Sequence, residues 1–177
     1  GIRPMHTFQP LDINDTEFNP FKLIGNDWAA LTTSVNGKTN AMTVSWGGVG
    51  VLWGKNVVSV YIRDSRYTKE LLDEGSDFSL TFFDPSSHSK KSALKYLGAA
   101  SGRSEDKIKT AGLNLHMEDD IPYIDEGIIV IKCRQMAHFS LNTEELPEEI
   151  REKWYSGNNE GNNHTVYIGE IVELLAR

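Results

Sequence analysis

Arg63, Ser65, Arg66 and Thr68 crowd into six residues, between an apolar run ending at Ile62 and a helix-like stretch opening at Tyr67. Two guanidinium groups in such a cluster form paired, charge-assisted hydrogen bonds to phosphate oxygens. The hydroxyls and the free N–H groups of a helix start complete such a shell. This donor set suits a phosphate monoester. The same residues also read as an ordinary helix cap with solvated arginines. Asp64, in their midst, has to turn its carboxylate away from any bound phosphate.

Upstream, Asn40, Ala41, Met42, Thr43, Val44, Ser45 and Trp46 run together. They offer polar groups and an indole to a flat ring with one apolar and one polar edge. In a strand, Asn40, Met42, Val44 and Trp46 share one side, and Ala41, Thr43 and Ser45 the other. Either set could face a ligand, with edge backbone serving the polar rim. The alternation equally describes a core strand. A third cluster spans 98–107, where Ser101, Gly102, Arg103 and Lys107 form a glycine-containing turn with two cations. Either cation could offset phosphate charge, or the turn is an exposed connection between helices. It lacks the Gly-Lys-Ser/Thr element of a Walker loop. His164 opens the last apolar run, where an imidazole can reach into a cleft or cap the strand.

Other chemistries lack their signatures. His6, His88, His116 and His138 show no zinc-like spacing, and one cysteine adds none. No Gly-x-Ser-x-Gly elbow is present. The acidic pairs Glu144, Glu145 and Glu148, Glu149 read as a solvated helix face. A net charge of −7 argues against a nucleic-acid partner and requires any anion site to be a local basic cluster. Apolar runs are too short to cross a bilayer as helices, and no signal-peptide pattern opens the chain. The first residue is Gly1 and not Met, so a processed start or a cloning remnant is expected. Cys133 sits in an apolar run and reads as a buried structural thiol, consistent with a reducing cytoplasm.

The elements that must position these clusters follow from periodicity and turn signals. Strands are expected at 29–35, 41–46, 57–63, 77–83, 127–139 and 164–175, and Asn36 with Gly37 marks a hairpin turn. Gly47, Gly48 and Gly50 break the pattern after Trp46, giving a sharp bend or a close backbone approach. Helices are expected at 67–74, 89–100, 104–111 and 144–155, with a Gly/Asn loop at 158–163. Residues 1–28 read as a polar arm carrying a docking piece at 19–24. There is no regular strand–helix alternation, so the expectation is one mainly β domain over 1–177, an antiparallel barrel with peripheral helices.

A phosphate grip and a wall for a flat ring together suggest flavin mononucleotide (FMN). The stretches at 19–24, 40–48, 61–68, 78–84, 101–107 and 167–171 carry a resemblance to the flavin reductase-like, FMN-binding split-barrel family, closest to its flavoredoxin-type branch. Asp64 departs from the proline of the family pattern. The resemblance implies a six-stranded Greek-key split barrel, a homodimer, and FMN held non-covalently near the subunit interface. It implies that Asn40, Thr43, Ser45 and Trp46 line the ring, with backbone from Met42 and Val44. Arg63, Ser65, Arg66, Tyr67 and Thr68 would hold the phosphate and ribityl end. Ser101, Gly102, Arg103 and Lys107 would close the site, and His164 would face nicotinamide or substrate. The activity implied is transfer of hydride or electrons from NAD(P)H through FMN to a flavin or protein. The alternatives are a flavoredoxin-like carrier without NAD(P)H turnover and a flavin-storage or sensing module. No side chain is expected to act as an obligate acid or base, because the cofactor carries the chemistry. Arg103, Lys107 and His164 would tune it.

Overall fold

The structure is a computed structural model that describes residues 7–117 and 121–177. The start of the arm, with Gly1 and His6, lies outside them. The arm contributes β1 (Gln9–Leu11), a short helix α1 (Pro20–Lys22) and a π-helical turn at Leu23–Asp27. Asn19 caps α1 by accepting from the Lys22 N–H. Ile24 is buried, and Ile13, Phe18 and Leu23 pack beside it, so the polar arm docks through its few apolar residues.

β2 (Ala29–Val35) and β3 (Lys38–Val44) form the expected hairpin. Asn36 and Gly37 both have positive φ, 52° and 78°, which gives a turn whose twist matches the strands. Of the sharp bend and the close approach expected around Gly47, the structure has the close approach, within a strand, β4 (Gly47–Leu52), paired to β5 (Lys55–Arg63). Close approach explains the glycine: a Cβ on Gly47 would overlap the Ser59 carbonyl oxygen. A second turn of the same type, Trp53 and Gly54 at φ 55° and 71°, joins β4 to β5.

α2 (Tyr67–Leu72), β6 (Phe78–Phe82) and α3 (His88–Ala99) follow, each close to its expected span. The next helix is shorter than expected. α4 (Lys107–Thr110) begins only after Asp106, whose carboxylate accepts from the Lys109 N–H as its cap. β7 (Leu115–His116) and β8 (Tyr123–Ile124) make a small separate ladder. The long strands β9 (Ile129–Ser140) and β10 (His164–Ala176) flank α5 (Glu148–Trp154), which starts later than expected, after Pro147.

The main sheet is antiparallel in the order β3-β2-β6-β9-β10-β5-β4, with β1 added beside β10. All six expected strands are in it. The path from β5 to β6 skips across β10 and β9, a Greek-key crossing. The sheet curls, since Met42 and Val44 of β3 share one core with Val58, Val60 and Ile62 of β5 and with Tyr167 of β10. No ladder joins β3 to β4, so the barrel is split there. A second apolar layer sits outside: Ala93, Leu94 and Leu97 of α3 and Ile108 of α4 cover Ala30 and Ala41. β2 and β3 are therefore buried on both faces over their central residues. Cys133 is fully buried in the barrel core, where desolvation raises its pKa.

Candidate functional site

The seam between the β3 end, the turn before α2 and the C-terminal end of α3 holds a cleft of about 180 Å³. Asn40, Ser65, Arg66 and Tyr67 line one part, and Ser101, Gly102, Arg103 and Lys107 line the other. Clusters read separately in the sequence thus meet in space. Ala99 and Ala100 complete the lining, which contains three cations and no carboxylate.

The cations are fixed by main-chain oxygens. Helix α3 ends with unpaired carbonyls and the negative pole of its dipole. The Arg66 guanidinium donates to Gly98 O at 2.6 Å and Leu97 O at 3.3 Å. The Lys107 ammonium donates to Leu97 O at 2.9 Å and Ala100 O at 3.1 Å. Lys107 is only 2% exposed. Burial, and then the Arg66 charge, push its pKa down to about 8, while Glu105 opposes the shift. Burial also lowers the pKa of Arg66. A third cation, Arg103, lies over the Tyr67 ring at 5.5 Å, pairs with Glu70 and donates to Ser65 O at 3.4 Å. A buried ammonium beside a half-buried guanidinium, with no acid in the lining, leaves positive potential that a bound dianion would neutralise.

Gly102 shapes the floor. A Cβ there would overlap Asn40 Oδ1. Asn40 is buried and donates from Nδ2 to Thr68 Oγ1 at 2.9 Å, so its amide is held. The main chain of the 98–107 turn therefore comes close to β3 only because residue 102 lacks a side chain. Asp64 does turn away, accepting from Thr165 Oγ1 at 2.9 Å. Ser65 is fastened by Asn162, whose Oδ1 accepts from its N–H at 3.1 Å and whose Nδ2 donates to its hydroxyl at 2.9 Å.

Arg63 is placed differently. It is not in the cleft lining. Its two terminal nitrogens donate to Trp154 O and Asn162 O, both at 2.7 Å, and its guanidinium lies 5.2 Å from the Tyr155 ring centre. Its side chain closes the α5–β10 loop.

Along β3, Met42 and Val44 point into the barrel core, which leaves their main chain as what they could offer a ligand. Thr43 faces the opposite way and donates its hydroxyl to Leu94 O of α3. Ser45 is half-buried, and Trp46 is 38% exposed, outside the core. Trp46 stands edge-on to Trp154 at 4.7 Å and beside His164 at 5.0 Å. His164 is 4% exposed, and its Nδ1 lies 2.7 Å from the Tyr155 hydroxyl. Desolvation, and then the Arg63 charge, push the imidazole pKa down to about 4, opposed by Asp64. Ser45 and Trp46 also border a larger, mainly apolar groove of about 470 Å³, closed by Pro20, Phe21, Ile24 and Gly47–Val49.

Sequence reasoning missed Trp154, Tyr155 and Asn162. Asn162 belongs to the recognised Gly/Asn loop, and a hydrogen-bonding side chain there was the one available signal. Trp154 and Tyr155 close the helix expected at 144–155, and that placement gave neither a functional signal.

The donor set and the glycine cradle fit the phosphate end of a mononucleotide, and the strand beyond it offers a half-exposed indole to a ring. The fold has solved counterparts. The flavoredoxin of Desulfovibrio vulgaris (Miyazaki F) aligns with TM-score 0.62 at 20% identity, covering 85% of this chain and 69% of its own. The flavoredoxin from Methanosarcina acetivorans gives 0.62 at 22%, covering 96% and 76%. An FMN-binding domain of a flavin reductases-like enzyme from Shewanella baltica OS155 gives 0.64 at 14%, covering 96% and 77%. No curated protein matches the sequence significantly. The sequence pattern of the flavin reductase like domain matches residues 24–177, and the chain belongs to that family.

Proposed function

We propose that this chain binds FMN and serves as an oxidoreductase of the flavin reductase type, with NAD(P)H as electron donor and a flavin or protein as acceptor. The observation that carries the reading is the cleft itself, with Arg66, Arg103 and Lys107 in a lining free of carboxylates and a glycine floor beside them. Arg66 and Lys107 hold the phosphate, and Ser65, Tyr67, Ser101 and Arg103 hold its remaining oxygens and the ribityl chain. Thr68 acts through Asn40, which it orients. Asn40, Thr43, Ser45 and Trp46, with the main chain of Met42 and Val44, flank the ring. His164 faces the nicotinamide or substrate. FMN, when bound, supplies the redox chemistry by accepting a hydride and passing on electrons. The protein binds it, orients it and surrounds it with fixed positive charge.

A second copy of the chain completes the assembly in this reading. β4 is an outer strand of the main sheet; Val51 on it and Trp53 in the turn after it are 73% and 55% exposed, and Phe21 of the groove wall is 88% exposed. Edges of that kind are usually covered. Among the described residues no helix is long and apolar enough to cross a membrane. The free, buried Cys133 suits a reducing, cytoplasmic setting.

Binding of FMN and riboflavin, followed by flavin fluorescence, tests the phosphate assignment. FMN is expected to bind roughly 100-fold tighter, since two charge-assisted contacts are worth about 3 kcal/mol together. Equal affinities would remove the cleft from the account. Anaerobic NADH or NADPH then separates the two functional classes. Bleaching of bound flavin supports the reductase; retained FMN that only a redox protein can reduce supports a flavoredoxin-like carrier.

A further inference from the structure

We infer that Tyr155 and Arg63 are positioning residues for His164: Arg63 fastens the loop that carries Tyr155, and the Tyr155 hydroxyl fixes the imidazole as the neutral form with hydrogen on Nε2. The inference rests on the reading that His164 faces the flavin's reaction partner. It goes beyond that reading by naming what sets the tautomer.

Arg63 spans the excursion at both ends. One terminal nitrogen holds Trp154 O and the other holds Asn162 O. The segment between these carbonyls leaves the sheet and returns to it at His164, which pairs with Arg63 itself in the β10–β5 register. One planar side chain therefore fixes both ends of the loop to the strand beneath it. Tyr155 hangs from the near end, edge-on to the imidazole with ring centres 5.5 Å apart, and its hydroxyl meets Nδ1.

The direction of that hydrogen bond is the substance of the inference, and the surrounding groups support it. The phenol makes no other hydrogen bond among the described residues, and we assign its hydrogen to Nδ1. Burial raises the Tyr155 pKa, which keeps the donor protonated, and the buried imidazole stays neutral above about pH 4. With Nδ1 accepting, the remaining hydrogen sits on Nε2. Nε2 has no hydrogen-bond partner among the described residues and is not a fully buried orphan. His164 is thus a neutral donor with one free N–H beside Trp46, suited to hold a carbonyl oxygen and not to deliver a proton. The charged groups around it are Arg63 of β5 and Asp64 after it; Trp46, Trp154 and Tyr155 supply the rest of its surroundings.

The test is long-range 1H–15N correlation NMR on histidine-labelled protein, with the His164 signal assigned by its loss in His164→Gln. Wild type is expected to show the Nε2–H form unchanged from pH 5 to 8. Tyr155→Phe keeps the ring and removes the hydroxyl, so both tautomers should populate and the titration should move up toward the ordinary histidine range. Arg63→Lys keeps the charge and loses the two-carbonyl span, so loop amides at 155–163 should exchange faster and the tautomer signal should broaden. An Nδ1–H form in wild type, or an identical spectrum in Tyr155→Phe, overturns the inference whether or not flavin binds. In FMN-loaded protein, Tyr155→Phe should slow anaerobic reduction by NADH about tenfold at unchanged FMN affinity, by analogy with metal-bound histidines that lose the partner of their second nitrogen. Flavin bound and reduced at the wild-type rate also overturns it. Failure of both proteins to bind FMN refutes the proposed function and leaves the tautomer result to decide this inference.

Discussion

Replacing Lys107 by methionine separates the two jobs this residue has. The ammonium is buried and its pKa falls from 10.5 to about 8. A shift of that size corresponds to roughly 3 kcal/mol by which folding disfavours the charged form. Methionine removes that charge at similar length. It also leaves Ala100 O without its partner, which costs about 1 kcal/mol, while Leu97 O keeps Arg66. The flavin-free variant should therefore be more stable than wild type at pH 7, by up to about 2 kcal/mol. The sign follows from protonation. Below about pH 8 the folded protein holds Lys107 charged at full cost; between about 8 and 10.5 the unfolded chain binds the extra proton, so wild-type stability rises with pH and the variant's lead vanishes. FMN binding should move the other way. Loss of a charge-assisted contact to phosphate removes about 1.5–3 kcal/mol, or roughly 10- to 100-fold in Kd. Denaturant melts of the flavin-free protein and fluorescence titration with FMN give the two numbers. Affinity equal to wild type would place the ammonium out of reach of the ligand. A parallel loss of stability and affinity would make Lys107 a strut of the α3 end and refute the charge argument.

Three further substitutions probe the rest of the account. Gly102→Ala puts a methyl on Asn40 Oδ1, an amide held by Thr68, so FMN affinity should drop by about 1–3 kcal/mol with a smaller loss in melting temperature; wild-type binding would show that the turn relaxes freely. Trp46→Ala should shift the visible absorbance of bound FMN and change its fluorescence, and an unchanged spectrum would put the indole away from the ring. Val51→Glu places a charge on the exposed end of β4 and should convert a homodimer to monomers in light scattering; a wild-type protein already monomeric would remove the interface from the proposal.

The strands were legible where local chemistry and tertiary context agree. Asn36 and Gly37 take the backbone values their types favour, and the flanking residues pair as the expected hairpin. At Gly47 the local pattern left a sharp bend and a close approach open, and only the neighbouring strand decides: the Ser59 carbonyl requires the missing side chain. The α4 boundary slipped because Asp106 serves as the cap, where the sequence reading placed it inside the first turn. Among the site residues, Arg66 and Lys107 come together with Ser101 because both close the end of α3, whose carbonyls are invisible as chemistry in the sequence. Arg63 and Trp154 lie 91 residues apart, and only the fold makes the arginine a clasp for the loop. Side-chain type announced cations; it could not say which carbonyls would claim them.

A crystal structure of the protein soaked with FMN tests the central claim most directly. Phosphorus density is expected in the cleft, with phosphate oxygens within hydrogen-bond distance of the Arg66 guanidinium and Lys107 Nζ and the ring lying toward Trp46. Phosphorus outside that cleft, or flavin bound only elsewhere on the chain, would contradict it.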